Sequence, residues 1–113
     1  MLAKVQFDTM TNRETWLGRI EIRNMEGNPI DLSAAVIRLE VKERPYNSSV
    51  LSASSSEGSI KGDDKGLIEW EFSEQKMRAL KAGFYKVGLV YILQGRTTQV
   101  ILGDIQIEEG IIT

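Results

Sequence analysis

Gly66-Leu67-Ile68-Glu69-Trp70-Glu71-Phe72 alternates apolar and charged residues, so Ile68, Trp70 and Phe72 share one face while Glu69 and Glu71 share the other. A strand repeats every two residues, and this pattern reads as a β-strand with one buried side. The segment Ser73 to Leu80 follows, with Ser73 placed as the N-cap of a short helix, Met77 and Leu80 three apart toward the core, and Gly83 as a stop signal. Phe84 to Leu93 then opens a second strand. The whole stretch is laid out for packing, with no catalytic group in it.

The same period returns on both sides. Trp16, Gly18, Ile20 and Ile22 oppose Arg19, Glu21 and Arg23, and Ile37, Leu39 and Val41 oppose Arg38, Glu40 and Lys42. The two later strands, Phe84 to Leu93 and Val100 to Ile107, are apolar on both faces over part of their length. Such strands lie centrally, or have one face covered by another subunit. That reading marks Val90, Ile92, Val100 and Leu102 as an interaction surface, with Tyr46 from a nearby loop. Gln94-Gly95-Arg96 joins the two strands as a hairpin, its glycine supplying a positive φ. Glu26-Gly27-Asn28-Pro29 and Gly62-Asp63-Asp64-Lys65-Gly66 are further turns. Residues 44–58, rich in serine, read as a flexible or edge segment in which Val50 and Leu51 form a short edge strand after Pro45. The expectation is a single domain over residues 1–113: an all-β, antiparallel, immunoglobulin-like sandwich of about seven strands with one short helix near 73–80.

Composition removes several classes of function. The chain has 14 basic and 16 acidic residues and a formal net charge of −2. It therefore lacks the basic footprint that phosphate neutralisation requires, and no nucleic-acid partner is expected. Histidine and cysteine are both absent, which excludes Ser-His-Asp and Cys-His catalysis, disulfides and thiolate zinc sites. No basic-then-apolar leader begins the chain, and no run approaches the ~18 apolar residues of a spanning helix. A soluble protein without signal peptide or membrane partner is expected, and no cofactor.

Each remaining constellation has a plainer reading. Asp63 and Asp64, with Glu57, are candidate oxygen ligands for Ca²⁺, but they are too few and Lys65 sits among them, so a solvated turn is favoured. Glu69 and Glu71 resemble a hydrolase pair only in spacing; on one strand they form a solvated face rather than opposite walls of a cleft. Trp16, Trp70, Tyr46, Tyr85 and Tyr91 form a stacking platform for sugars only if exposed, and the alternation puts both tryptophans in the core. Tyr46 is the aromatic whose exposure would be informative.

Three segments together carry a family resemblance. The run Glu26-Gly27-Asn28-Pro29-Ile30-Asp31-Leu32-Ser33-Ala34-Ala35 resembles the G-x-P-x-D-L-(S/T)-G-A turn of small β-sandwich proteins encoded by tailed bacteriophages and prophages. Gly58-Ser59-Ile60 and Gly66 to Trp70 stand where that group has its glycine turn and next apolar strand. Leu80-Lys81-Ala82-Gly83-Phe84-Tyr85 matches its L-x-x-G-x-Y helix end, and Gly103 to Ile107 its last strand. Ala34-Ala35 departs from the usual Gly-Ala, which puts the turn after Leu32 in question. The resemblance covers residues 15–108 and is similar to the N-terminal domain of phage baseplate upper proteins. It implies a non-enzymatic virion module of tail, baseplate or head-tail assembly, with no catalytic residues to carry over. Its partners would be other phage structural proteins or itself, as a homo-oligomer, and its place the virion or the host cytoplasm during assembly. The competing readings are an immunoglobulin-like adhesion or carbohydrate-binding module built around Tyr46, and a metal-assisted hydrolase using Asp63, Asp64 and Glu57.

Overall fold

A computed structural model of the chain describes residues 3–44 and 48–111, and for residues 3–6, 101 and 102 the backbone alone. Its strands are β1 (Ala3–Gln6), β2 (Met10–Thr11), β3 (Trp16–Glu21), β4 (Val36–Lys42), β5 (Leu51–Ser54), β6 (Ile60–Gly62), β7 (Leu67–Phe72), β8 (Gly83–Leu93) and β9 (Arg96–Glu108). A helix, α1 (Glu74–Arg78), precedes β8, and a 3₁₀ turn, Ser55–Glu57, joins β5 to β6.

Two sheets face each other. The larger has the order β1-β9-β8-β4-β5, with β2 also on β9; the smaller has the order β3-β7-β6. In immunoglobulin terms these are A′-G-F-C-C′ over B-E-D, so the all-β sandwich read from the alternation is the fold. One correction concerns its hand of pairing: β1 and β2 run parallel to β9, Ala3 opposite Ile101 and Met10 opposite Ile107. The remaining ladders are antiparallel.

The alternating positions account for the core between the sheets. Ile37, Leu39, Val41, Val87, Leu89, Ile105 and Ile107 enter from the larger sheet; Trp16, Ile60, Ile68, Trp70 and Phe72 enter from the smaller. Burial of one such side chain stabilises the fold by about 1.5–3 kcal/mol. The aromatic members interlock edge-on, with ring centroids 5.8 Å apart for Phe7 and Trp16 and 6.0 Å for Trp16 and Trp70.

Helix α1 is shorter than the sequence implies. Ser73 Oγ accepts from the Lys76 amide at 3.3 Å, as an N-cap does, and Met77 is fully buried. The helix closes at Ala79, before Gly83, because Leu80 is drawn into the core and Gly83 already begins β8. The corner is then fastened by Tyr85, whose hydroxyl donates to the Lys81 carbonyl at 2.6 Å, the tyrosine-corner contact of immunoglobulin-like sandwiches. Burial, reinforced by the Glu43 carboxylate, pushes the Tyr85 hydroxyl above its ordinary pKa.

A second fastening comes from Asn12, which is 2% exposed. Its Nδ2 donates to the Leu80 carbonyl and its Oδ1 accepts from the Gly110 amide, both at 2.9 Å. One side chain thus ties the β2–β3 link, the end of α1 and the exit of β9 together.

The β8–β9 hairpin turns on Gln94 (φ 54°) and Gly95 (φ 77°), two successive left-handed residues that match the twist of the flanking strands. The segment read as flexible or edge resolves into β5 at the margin of the larger sheet and the 3₁₀ turn beyond it. Pro45 and Tyr46 lie outside the described residues.

Candidate interaction surface

The outer face of the larger sheet is defined by its register. Across β4, β8 and β9 the outward rows are Val36–Ile92–Thr97, Arg38–Val90–Gln99, Glu40–Gly88–Leu102 and Lys42–Lys86–Asp104. Val36 and Ile92, neighbours in the first row, are 47% and 36% exposed. Val90 beside them is half-buried, and Phe84 at the far end of β8 is 71% exposed. Gly88 carries no side chain, so a shallow groove of about 240 Å³ forms over it, walled by Arg38, Glu40, Lys42, Lys86 and Gln99. Lys86 and Asp104 close one end as an ion pair at 2.6 Å. The face therefore runs from an apolar end through a groove to a charged row, with Phe84 exposed beyond it.

Of the residues read from the sequence as an interaction surface, Val90 and Ile92 lie on this face. Val100 does not: it is 3% exposed. The ladder pairs Leu89 with Ile101 but Val90 with Gln99, leaving Val100 as the extra residue of a β-bulge. One inserted residue reverses the alternation, so Val100 turns into the core and Gln99 faces out. Leu102 is in the Gly88 row by backbone register, and its side chain lies outside the described residues, as does Tyr46 altogether. Val36, which the sequence reading passed over, was accessible to the same alternation through Arg38 and Glu40.

The other candidates are placed as follows. Asp63 Oδ1 accepts from the Lys65 and Leu67 amides at 2.9 Å, so this carboxylate organises its own turn. Glu57 Oε1 accepts from Ser54 Oγ at 2.9 Å, and Asp64 is exposed. Among the described residues no group of three potential metal ligands converges. Glu69 and Glu71 lie on the outer face of the smaller sheet, where Glu69 sits between Arg19 and Lys61 in the ladder. Trp16, Trp70, Tyr85 and Tyr91 are buried, so none of them offers a ring face for stacking. Asp31, on the turn before β4, accepts from both the hydroxyl and the amide of Ser33, at 2.6 and 3.0 Å, which holds its carboxyl below the ordinary pKa.

A second opening lies where the sheets part, between Phe7–Met10 and Glu14–Arg19. This cleft of about 630 Å³ is floored by Trp16, Trp70 and Ile105. The Trp70 Nε1–H beneath it is buried without a hydrogen-bond partner. Among the described residues no helix is long and apolar enough to cross a membrane. No protein-family profile matches the chain, and no curated protein is significantly similar to it.

Proposed function

We propose that this chain is a non-enzymatic structural module that works through protein–protein contacts, in the tail, baseplate or head-tail assembly of a tailed phage or prophage. The observation that carries the reading is the outer face of the larger sheet, where Val36 and Ile92 stand adjacent and exposed beside the half-buried Val90. Apolar residues side by side on a sheet face bury nothing inside the chain, and they gain free energy only when another surface covers them. The charged row of the same face, Lys42, Lys86 and Asp104, supplies the polar rim that fixes orientation. The lack of histidine and cysteine agrees with a role in which nothing is transferred or cleaved. The phage setting rests on the motif resemblance around Gly27 to Leu39 and Leu80 to Tyr85.

The test is the solution mass by light scattering over a concentration series, for the wild type and for the double variant Val36→Asp, Ile92→Lys. The wild type is expected to reach a discrete mass above that of the variant, while both melt at the same temperature because the two positions are exposed. Equal masses at every concentration would show that this face does not assemble the chain.

A further inference from the structure

Strand β3 is an edge: it pairs with β7 on one side and, among the described residues, with nothing on the other. The hydrogen-bond phase of this edge follows from its continuation. The Ile22 amide donates to the Gly66 carbonyl, and the Ile22 carbonyl accepts from the Ile30 amide, so Ile22 directs both backbone groups toward β7 and its flank. On the far side of β7 the Glu71 amide donates to Ser59 and the Leu67 carbonyl accepts from Asp63, which fixes the same phase independently. Backbone groups alternate sides along an antiparallel strand. Trp16, Gly18 and Ile20 therefore bond β7, and Leu17, Arg19, Glu21 and Arg23 present their N–H and C=O groups to the open side.

No described strand occupies the space beside that edge. Phe7–Met10, which leads into β2, lines the 630 Å³ cleft together with Glu14–Arg19, and meets β3 through the edge-on contact of the Phe7 and Trp16 rings. The side chains that accompany the open backbone groups are Leu17, Arg19, Glu21 and Arg23, all exposed on the outer face. Ile20 points inward at the margin of the core and is only half-buried.

We propose that β3 is a self-association edge, at which two copies align antiparallel about a two-fold axis through Ile20 and join their small sheets into one continuous sheet. The inference rests on the reading of the chain as an assembly module and names a second copy as the partner. Charge selects the register. With the axis at Ile20, Arg19 of each copy faces Glu21 of the other, Leu17 faces Arg23, and these four positions are the ones with free backbone groups. Within one copy Glu21 pairs with Arg23, so this register brings the Glu21 carboxylate a second guanidinium. On the inner face Ile20 meets Ile20 of the other copy, covering its exposed edge. With the axis at Arg19, two arginines would stand directly opposed. With the axis at Gly18, Glu21 would face Thr15 and gain no arginine from the other copy. An axis at Ile22, beyond the end of β3, would set Glu21 against Arg23 but leave Arg19 facing Met25. The Ile20 register alone gives both Arg19 and Glu21 an opposite charge across the axis, and it is isologous, so it closes as a dimer and does not propagate into a fibre.

The experiment uses Arg19→Glu and Glu21→Arg, separately and mixed, with sedimentation equilibrium of the full chain. The wild type is expected to dimerise. Each single variant places like charges across the axis twice and weakens dimerisation by about tenfold or more. An equimolar mixture of the two restores a heterodimer of near wild-type affinity, because the two carboxylates of the Arg19→Glu chain then face the two guanidinium groups of the Glu21→Arg chain. A control, Leu17→Pro, removes one outward N–H and weakens the dimer without a charge change. A wild type monomeric to about 1 mM, the weak end of specific association, overturns the proposal and assigns Arg19 and Glu21 to guarding the edge. Single variants that associate like the wild type, or a mixture without recovery, overturn it too. If association instead vanishes in the Val36→Asp, Ile92→Lys variant and persists in Arg19→Glu, the assembly reading stands and the β3 edge is excluded.

Discussion

Replacing Asn12 by alanine removes the only buried non-aromatic polar side chain among the described residues, and the cost is calculable from its partners. The Leu80 carbonyl lies against a buried residue and loses a 2.9 Å donor; left unsatisfied, such a group costs about 1–3 kcal/mol. The Gly110 amide loses its 2.9 Å acceptor, but Gly110 is half-exposed and water replaces the bond, so about 0.5–1 kcal/mol is expected there. The sum is about 1.5–4 kcal/mol, a large share of the 5–15 kcal/mol typical of a domain. At about 2.1 cal/mol/K per residue, a chain of 113 residues has an unfolding entropy of about 0.24 kcal/mol/K, so the melting temperature falls by about 6–17 °C. Thermal and urea denaturation followed by tryptophan fluorescence reads this directly. Asn12→Asp sharpens the test. A carboxylate buried here loses the donor to Leu80 and gains a charge, so burial raises its pKa in the folded state. The protonated form is the one the fold favours, so the variant is most stable below the ordinary carboxylate range and weakens as pH rises through the raised value. An Asn12→Ala melting temperature within about 2 °C of wild type, well below the entropy-based shift, would refute the clamp.

Three further outcomes are expected. Tyr85→Phe deletes the 2.6 Å bond to Lys81 and leaves its carbonyl to partial solvent, for a loss of about 0.5–1.5 kcal/mol in urea denaturation; an unchanged midpoint would contradict the corner's role. Gly18→Ala would set a Cβ 2.1 Å from Trp70 Cε2, forcing a buried indole to move, and should destabilise by about 1–3 kcal/mol with a shift in tryptophan emission. Asp31, held below its ordinary pKa by Ser33, contributes stability above the unfolded-state value and loses it as pH falls through the folded one. A carboxyl-carbon NMR titration should place its midpoint below that of an unperturbed aspartate, and Ser33→Ala should move it back up.

The strands were legible because their faces alternate. Ile68, Trp70 and Phe72 entered the core as the pattern required, as did Trp16 on β3 and Leu39 on β4. What escaped was whatever depends on residues distant in sequence or on a shift of phase. Asn12 looks like a surface polar residue, since its partners are backbone atoms 68 and 98 positions away. Val100 alternates correctly with its neighbours and is reversed only by the bulge opposite Leu89 and Val90. The parallel seating of β1 and β2 on β9 leaves no local trace, because strand direction is a property of the pair. Sequence marked Val90 and Ile92 as a surface through two-sided hydrophobicity, whereas the open side of β3 required knowing which strand has no neighbour.

The parallel pairing of β1 with β9 has a mechanical consequence. When β1 is pulled from its start and β9 from its end, the opposing loads run along the strand axes, in shear. The bonds joining Ala3–Gln6 to Ile101–Asp104 then bear the load together and fail as a group, whereas a hairpin peeled from one end would open one bond at a time. A module tethered by those two strands transmits tension through this short ladder before the core behind it is strained.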